Sequence, residues 1–287
     1  MQRDSIANTF TVAILLCVVC SVMVSTAAVL LRPAQERNKL LERKRNILQV
    51  AGLYTPDKPL EELFKQVETR IVDLNTGRFV DSSVVDPQTY NQRTAARDLA
   101  TSERIPEAED IAGIGRREEY SFVYLVKKDG KLSQIVLPVY GKGLWSTIYG
   151  FLALDADWHT IDGITFYEQG ETPGLGGEIE NPNWKKKWIG KQAFDPERDV
   201  RIEVIRGEVN KDSPESKYQI DGLAGATITS RGVSHLVQFW LGPDGFGPLL
   251  DRLRKETSPA KTAGEAGVAA SPRHDIDATQ REIAVDG

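Results

Sequence analysis

Thr227 lies in the run DGLAGATITS (221–230), where Gly225 and Ala226 place almost no side-chain bulk ahead of its hydroxyl. The amphipathic stretch RGVSHLVQFWL follows directly, so the hydroxyl falls at a predicted helix N-terminus. Orphan amides and the helix dipole favour a phosphate at such a place. A threonine acting as a simple N-cap accounts for the same residues equally well. Two further glycine-bearing segments, YGKGLWS (140–146) and GETPGLGGEI (170–179), each follow a predicted strand. Neither holds the G-x-x-x-x-G-K-[ST] or G-x-G-x-x-G pattern of a phosphate loop, and singly each reads as a turn. Together, Gly141, Gly143, Gly174, Gly176 and Gly177 would let backbone approach a flat ligand, with Leu144, Trp145 and Leu175 as apolar surface for it. A planar ring in the glycine loops and a phosphate at Thr227 describe a flavin mononucleotide.

Other chemistries find little support. The two cysteines, Cys17 and Cys20, sit in an apolar N-terminal stretch, which leaves the rest of the chain without a disulfide framework or a thiol metal site. The three histidines, His159, His235 and His274, are scattered without carboxylate spacing and read as surface residues, so no metal is expected. A formal net charge of −5 gives no hint of nucleic acid.

The elements that must position these residues begin with a membrane span. From Phe10 to Leu31 there is no charge and no proline, and at about 1.5 Å per residue the stretch covers about 30 Å, enough to cross a hydrocarbon core. A cleaved signal peptide usually has a shorter apolar region, which favours a retained anchor. The pair Cys17 and Cys20 shares a helix face; close helix packing is the simpler reading, a redox role beside a partner helix the other. Arg32, Arg37, Lys39, Arg43, Lys44 and Arg45 follow the span, against Arg3 and Asp4 before it. A literal positive-inside count would leave the globular part in the cytoplasm, though long domains translocate largely regardless of charge.

A charged helix ending near Gly52 is expected next, then a short helix after Pro59 running into a strand, and a hairpin turn at LNTGRFV. Residues 82–118 read as loop with short helices. Strands are expected over 121–126, 132–139, 146–157 and 161–169, the first two joined by a tight turn at Asp129-Gly130, with a weaker strand in DVRIEVIRG. Val233, Leu236, Val237, Trp240 and Leu241 form one helical stripe. The expected fold is α+β: one N-terminal transmembrane helix, then a mixed domain with antiparallel strands. The Ala-, Gly- and Pro-rich tail from Thr257 is expected to be disordered.

Three blocks, YGKGLWSTIYGFLALD, ITFYEQGETPGLGGEI and the anchor LCVVCSVMVSTAAVLLRPAQERNKLLERKRNILQVAGL, together with DGLAGATITS, resemble the NqrC family of the sodium-translocating NADH:quinone reductases. The resemblance runs in family order from about Thr9 to Arg254. It implies one FMN joined covalently by its phosphate to the last threonine of an S/T-G-A-T run, here Thr227, with Ala224, Gly225, Ala226, Leu144, Trp145, Ser146, Thr172, Gly174 and Leu175 around it. Ala224 departs from the pattern, which usually has Ser or Thr there, but that position is not the acceptor. The resemblance further implies a flavin transferase that delivers FMN from FAD, partner subunits in the complex, and electron relay from NADH toward ubiquinone coupled to Na+ export. No independent catalytic residue is expected in the chain. The layout would be a short segment 1–9, a transmembrane helix 10–31 in the bacterial inner membrane, a periplasmic FMN-binding region 32–256 with its core at about 120–250, and the tail 257–287. The alternatives are the covalent-FMN subunit of the related Rnf-type ferredoxin:NAD+ complex, and a tethered binding domain with no redox role.

Overall fold

The computed structural model describes residues 6–128 and 130–257. The expectations for Arg3, Asp4, Asp129, His274 and the tail beyond Thr257 lie outside the described residues. Helix α1 (Ile6–Val50) is a single helix of 45 residues, about 68 Å long at the usual rise. The apolar span and the charged helix expected after it are thus one helix, which runs on without a break past residues 31–32. Pro33 lies inside it, so only one amide donor is lost where the composition turns from apolar to charged. The apolar stretch is long enough to cross a membrane and none of it is buried by the domain. Cys17 and Cys20 are free and exposed on it.

The other end of α1 is built into the domain. Ile47 and Leu48 are fully buried and Val50 nearly so. Gly52, at φ +66°, ends the helix. The Leu53 amide donates to the Leu48 carbonyl at 2.8 Å and the Gly52 amide to the Gln49 carbonyl at 3.1 Å, the two bonds of a Schellman stop. The left-handed conformation is one that glycine adopts without steric cost.

The centre is a six-stranded antiparallel sheet made of β1 (Val67–Asp73), β2 (Arg78–Val80), β5 (Tyr120–Lys128), β6 (Lys131–Lys142), β7 (Thr147–Asp155) and β8 (Ile161–Glu168), in the order β2-β1-β5-β6-β7-β8. Its four longest strands match the expected runs. Both faces are buried, and the strand period of two divides them. Val123 and Leu125 of β5 face one core with Ile135, Leu137 and Leu152, covered by helix α5 (Thr227–Leu241). Phe122, Tyr124 and Val126 face the other with Phe151, covered by the end of α1 and by α2 (Leu60–Phe64).

The stripe Val233, Leu236, Val237, Trp240 and Leu241 is buried throughout, as expected. Two features differ from the sequence reading. Residues 82–118 contain α3 (Gln92–Ala95) and a small strand pair, β3 (Ser102–Arg104) with β4 (Arg116–Glu118), besides loop. DVRIEVIRG keeps only the two-residue β9 (Glu203–Val204), which pairs in parallel with β10 (Gln219–Ile220). Helix α4 (Pro182–Lys186) lies between β8 and β9, and the described residues end with α6 (Gly247–Thr257), a helix absent from the sequence expectations; its Leu249, Leu250 and Leu253 join the α5 core.

Because α1 enters the second core through Ile47 and Leu48, the membrane span and the sheet form one folded unit. Leu48→Ala is expected to lower the unfolding free energy of the detergent-solubilised full chain by about 2–5 kcal/mol, the usual cost of a large-to-small core change. Urea unfolding followed by tryptophan fluorescence measures it; a change below about 1 kcal/mol would mean that α1 does not belong to the core.

Candidate functional site

The three glycine-bearing segments converge on one carboxylate that the sequence reading did not single out. Glu171, three residues past the end of β8, is 4% exposed. Its Oε2 accepts a 2.5 Å hydrogen bond from the Thr229 hydroxyl and a 3.2 Å bond from the Leu144 amide. Its Oε1 accepts from the Trp145 amide at 3.0 Å. One side chain therefore ties the β6–β7 turn and the β8–α4 loop to the first turn of α5. Burial pushes its pKa up, but the bonds from the Thr229 hydroxyl and the Trp145, Leu144 and Ser146 amides outweigh burial and hold it below the ordinary carboxylate range. Glu171 is thus a charged acceptor at neutral pH.

The glycines make room for this knot. A Cβ on Gly143 would come within 2.5 Å of the Glu171 carboxylate, and one on Gly176 within 2.5 Å of the Thr229 hydroxyl oxygen. On Gly141 it would meet Leu236 of α5 at 2.6 Å, and on Gly177 the Thr172 carbonyl at 3.3 Å. Packing within the chain thus accounts for these four glycines, which were expected to let backbone approach a flat ligand. Gly174 alone of the five faces open space, at φ +76°.

Around the carboxylate the loops fasten to each other. The Gly143 amide donates to the Ser146 carbonyl at 2.8 Å, closing the β6–β7 turn. The Gly170 amide donates to the Ser146 hydroxyl at 2.7 Å, and the Trp145 indole N–H to the Thr172 hydroxyl at 3.2 Å. Amides of Leu175 and Gly177 both donate to the Thr172 carbonyl. Ser146 and Thr172 thus hold loop geometry.

Helix α5 starts immediately beside this knot. Gly225 takes φ +72°, and a Cβ there would press on Leu175 at 3.0 Å. The Ser230 hydroxyl accepts the Leu223 amide at 3.2 Å and folds the incoming segment onto the first turn. Ala226 is the N-cap and Thr227 the first helical residue, which corrects the reading of Thr227 as the cap. Alanine offers no oxygen, so the first-turn amides have no capping side chain and the positive end of the dipole faces outward. Thr229 and Ser230 turn inward and are buried, while Ala224, Gly225, Thr227 and Ile228 are exposed. Among the described residues the Thr227 hydroxyl has no hydrogen-bond partner and no adjacent base.

All the sequence-predicted site residues come together at this corner. Trp145 (66% exposed), Ile228 (49%), Leu175 (44%) and Leu144 (42%) present large apolar side chains to solvent on the loops and helix turn that surround Thr227. Val84, Leu99, Ile111 and Ile189 are exposed elsewhere in the domain, on separate segments, whereas these four sit on adjoining ones, and that concentration marks a surface suited to a flat apolar partner. Ile228 was missed along with Glu171 and Thr229. Neither of the two described histidines takes part: His159 stacks on Phe194 and His235 is half-buried, where it was expected at the surface. No group of metal-ligating side chains occurs among the described residues.

Residues 143–242, from the β6–β7 turn to the end of α5, match the FMN-binding domain family. The chain is 49% identical over 258 residues to the NqrC protein of the Na(+)-translocating NADH-quinone reductase of Pseudomonas aeruginosa, covering 88% of this chain and 98% of that one. It is 46% identical to the corresponding protein of Yersinia pestis, over 88% and 95% of the two chains. The fold resembles the crystal structure of Shewanella oneidensis NqrC, with a TM-score of 0.69 and 35% identity over 77% of this chain and 99% of that one. It also resembles the NqrC protein from Parabacteroides distasonis, with a TM-score of 0.59 and 26% identity, covering 77% of this chain and 96% of that one.

Glu171→Gln removes the charge and points an amide at donors. It is expected to cost about 1–3 kcal/mol at neutral pH, as for a buried hydrogen-bonded group that loses its partners. A depressed folded-state pKa contributes stability that is present above the unfolded value and lost as pH falls through the folded one. The gap between parent and variant should therefore close in acid. Urea titrations at pH values from about 7 down to about 3 measure it; a gap that stays constant would contradict a charged Glu171.

Proposed function

The chain belongs to the NqrC family of the Na+-translocating NADH-quinone reductases, and from that premise we propose that it carries one FMN as a phosphoester on Thr227 and relays electrons between neighbouring redox centres on the way from NADH to ubiquinone. The observation that carries this reading is the placement of Thr227: an exposed hydroxyl without a partner, on the first turn of an uncapped helix, ringed by exposed apolar side chains. A phosphate there would meet the free first-turn amides and the positive end of the α5 dipole. Leu144, Trp145, Leu175 and Ile228 would offer the apolar face for the ring, and Gly174 the open approach. Bound flavin supplies the redox chemistry; the chain supplies position and electrostatics.

Attachment needs help from outside. A threonine hydroxyl is a weak nucleophile unless a base activates it, and no side chain stands ready beside Thr227. A flavin transferase acting on FAD would supply that base. The Thr227 oxygen bonds to the phosphorus of the FMN half, the bond to AMP breaks, and the threonine proton passes to the transferase. Attachment through the phosphate leaves the ring unmodified. The small residues Gly225 and Ala226 keep the approach to Thr227 clear.

In this reading α1 anchors the chain in the bacterial inner membrane, with the domain on the periplasmic side. There a lost flavin could not readily be replaced, and a covalent bond retains it. Sites for NADH, quinone and Na+ belong to the other subunits of the complex. Family membership favours this role over the ferredoxin-linked alternative and over a tethered domain with no redox function.

Co-expression of the full chain with a flavin transferase, followed by intact-mass measurement, tests the proposal. The parent chain should gain one FMN, and Thr227→Leu none, with unchanged circular dichroism. A parent chain without the added mass, or a variant that retains it, would reject Thr227 as the point of attachment.

A further inference from the structure

A groove of about 220 Å3 opens at the foot of Thr227, on the side of α5 that carries Thr227, Ser230 and Arg231. Its opposite wall is the 204–207 segment, and Gly222 and Leu223 also line it. The titratable groups lining it are Arg206 and Arg231, and no carboxylate does so. Neither guanidinium has a hydrogen bond or an ion pair among the described residues. Elsewhere the exposed Arg201 meets Glu215, and the half-buried Arg198 and Arg252 meet Asp251 and Glu256, whereas Arg78, Arg97 and Arg104 are exposed without an ion pair among the described residues. What sets Arg206 and Arg231 apart is the groove they share beside Thr227.

Both arginines are held where Thr227 is. Arg231 follows it by four residues on a continuous helix, which puts the two side chains on one face. Arg206 belongs to a turn bonded directly to the segment that leads to Thr227. The Ile205 amide donates to the Ile220 carbonyl at 2.9 Å, and the Gly222 amide to the Gly207 carbonyl at 2.8 Å. The two backbones lie so close that a Cβ on Gly222 would sit 2.3 Å from the Ile205 carbonyl oxygen. Asp221, the acid of the same segment, points to another side, where it accepts Lys187 Nζ and the Val209 amide at 2.6 and 2.7 Å. Two arginines therefore line one groove that has no carboxylate in its lining, beside the oxygen that the proposed function esterifies to a phosphate.

We propose that Arg206 and Arg231 form a clamp for the phosphoryl group delivered to Thr227, a role that rests on the attachment reading above. Guanidinium groups bind phosphoryl oxygens through paired, charge-assisted hydrogen bonds. During transfer the bond to AMP breaks as the Thr227 oxygen bonds to phosphorus, and the clamp offsets the negative charge on the remaining phosphoryl oxygens. After transfer it neutralises the phosphodiester that remains.

The test compares the full chain, Arg206→Ala/Arg231→Ala and Arg206→Lys/Arg231→Lys in detergent, with FAD and saturating purified transferase, following FMN attachment by intact mass. The alanine pair should react at least about tenfold more slowly, the scale of losing one charge-assisted hydrogen bond. The lysine pair should recover most of that rate, and the flavin-free proteins should melt together. Added salt should slow the parent and the lysine pair more than the alanine pair. Parental rates in the alanine pair would overturn the clamp, as would a defect that disappears at saturating transferase and so reflects enzyme docking. Equal slowing in both pairs with a lowered melting temperature would assign a structural role and overturn it too. No attachment in the parent chain would instead bring down the Thr227 reading, and the clamp with it.

Discussion

The corner around Thr227 depends on a buried negative charge. Glu171 sits in the low-dielectric interior, where an ionised carboxylate is costly unless its oxygens are occupied. They are occupied by the Leu144 and Trp145 amides and the Thr229 hydroxyl, donors from a turn 26 and 27 residues earlier and a helix 58 residues later. Satisfying this one group fixes two loops and the first turn of α5 relative to each other. It also decides which residues stay at the surface. Thr229 is drawn inward to the carboxylate, and helical geometry then leaves Thr227 and Ile228 outward.

The remaining architecture gives this corner a stable base. The sheet is covered on both faces, by α5 and α6 on one and by the end of α1 with α2 on the other. Helix α5 lies against β6 closely enough that the Trp240 indole donates to the Tyr140 carbonyl at 2.7 Å, and a Cβ on Gly232 would come within 2.5 Å of the Lys142 carbonyl. The start of α5 is therefore located by a helix packed along its whole apolar face. An apolar span that is one continuous helix with the stalk, and buried at its far end, ties this geometry to the membrane side of the molecule.

Much of this was legible in the residues because it is local. The α5 stripe repeats at helical spacing, the four long strands are bounded by turn residues, and the Schellman stop needs the glycine found at 52. The candidate corner was legible in part: the three segments and the residues from Leu144 to Thr227 do come together. What escaped is what long-range packing decides. Glu171 is an unremarked acid in a glycine-rich loop until donors from distant segments surround it. Gly141, Gly143 and Gly176 look like room for a ligand, and packing against Leu236, Glu171 and Thr229 accounts for them. Helix α6 opens with Gly247 and Pro248 and carries too short an apolar pattern to declare itself before its leucines meet α5. The stalk looked separate from the span because composition changes at Pro33, whereas one missing amide leaves a helix of this length intact.

The central claim is that the Thr227 oxygen bears a flavin phosphate. Trypsin cuts after Lys217 and Arg231, so one peptide, residues 218–231, holds Thr227 together with Thr229 and Ser230. Fragmentation mass spectrometry of that peptide, taken from the protein purified in its native assembly, tests the claim most directly. The account predicts FMN on this peptide with the bond localised to Thr227; an unmodified peptide, or flavin localised to Thr229 or Ser230, would contradict it.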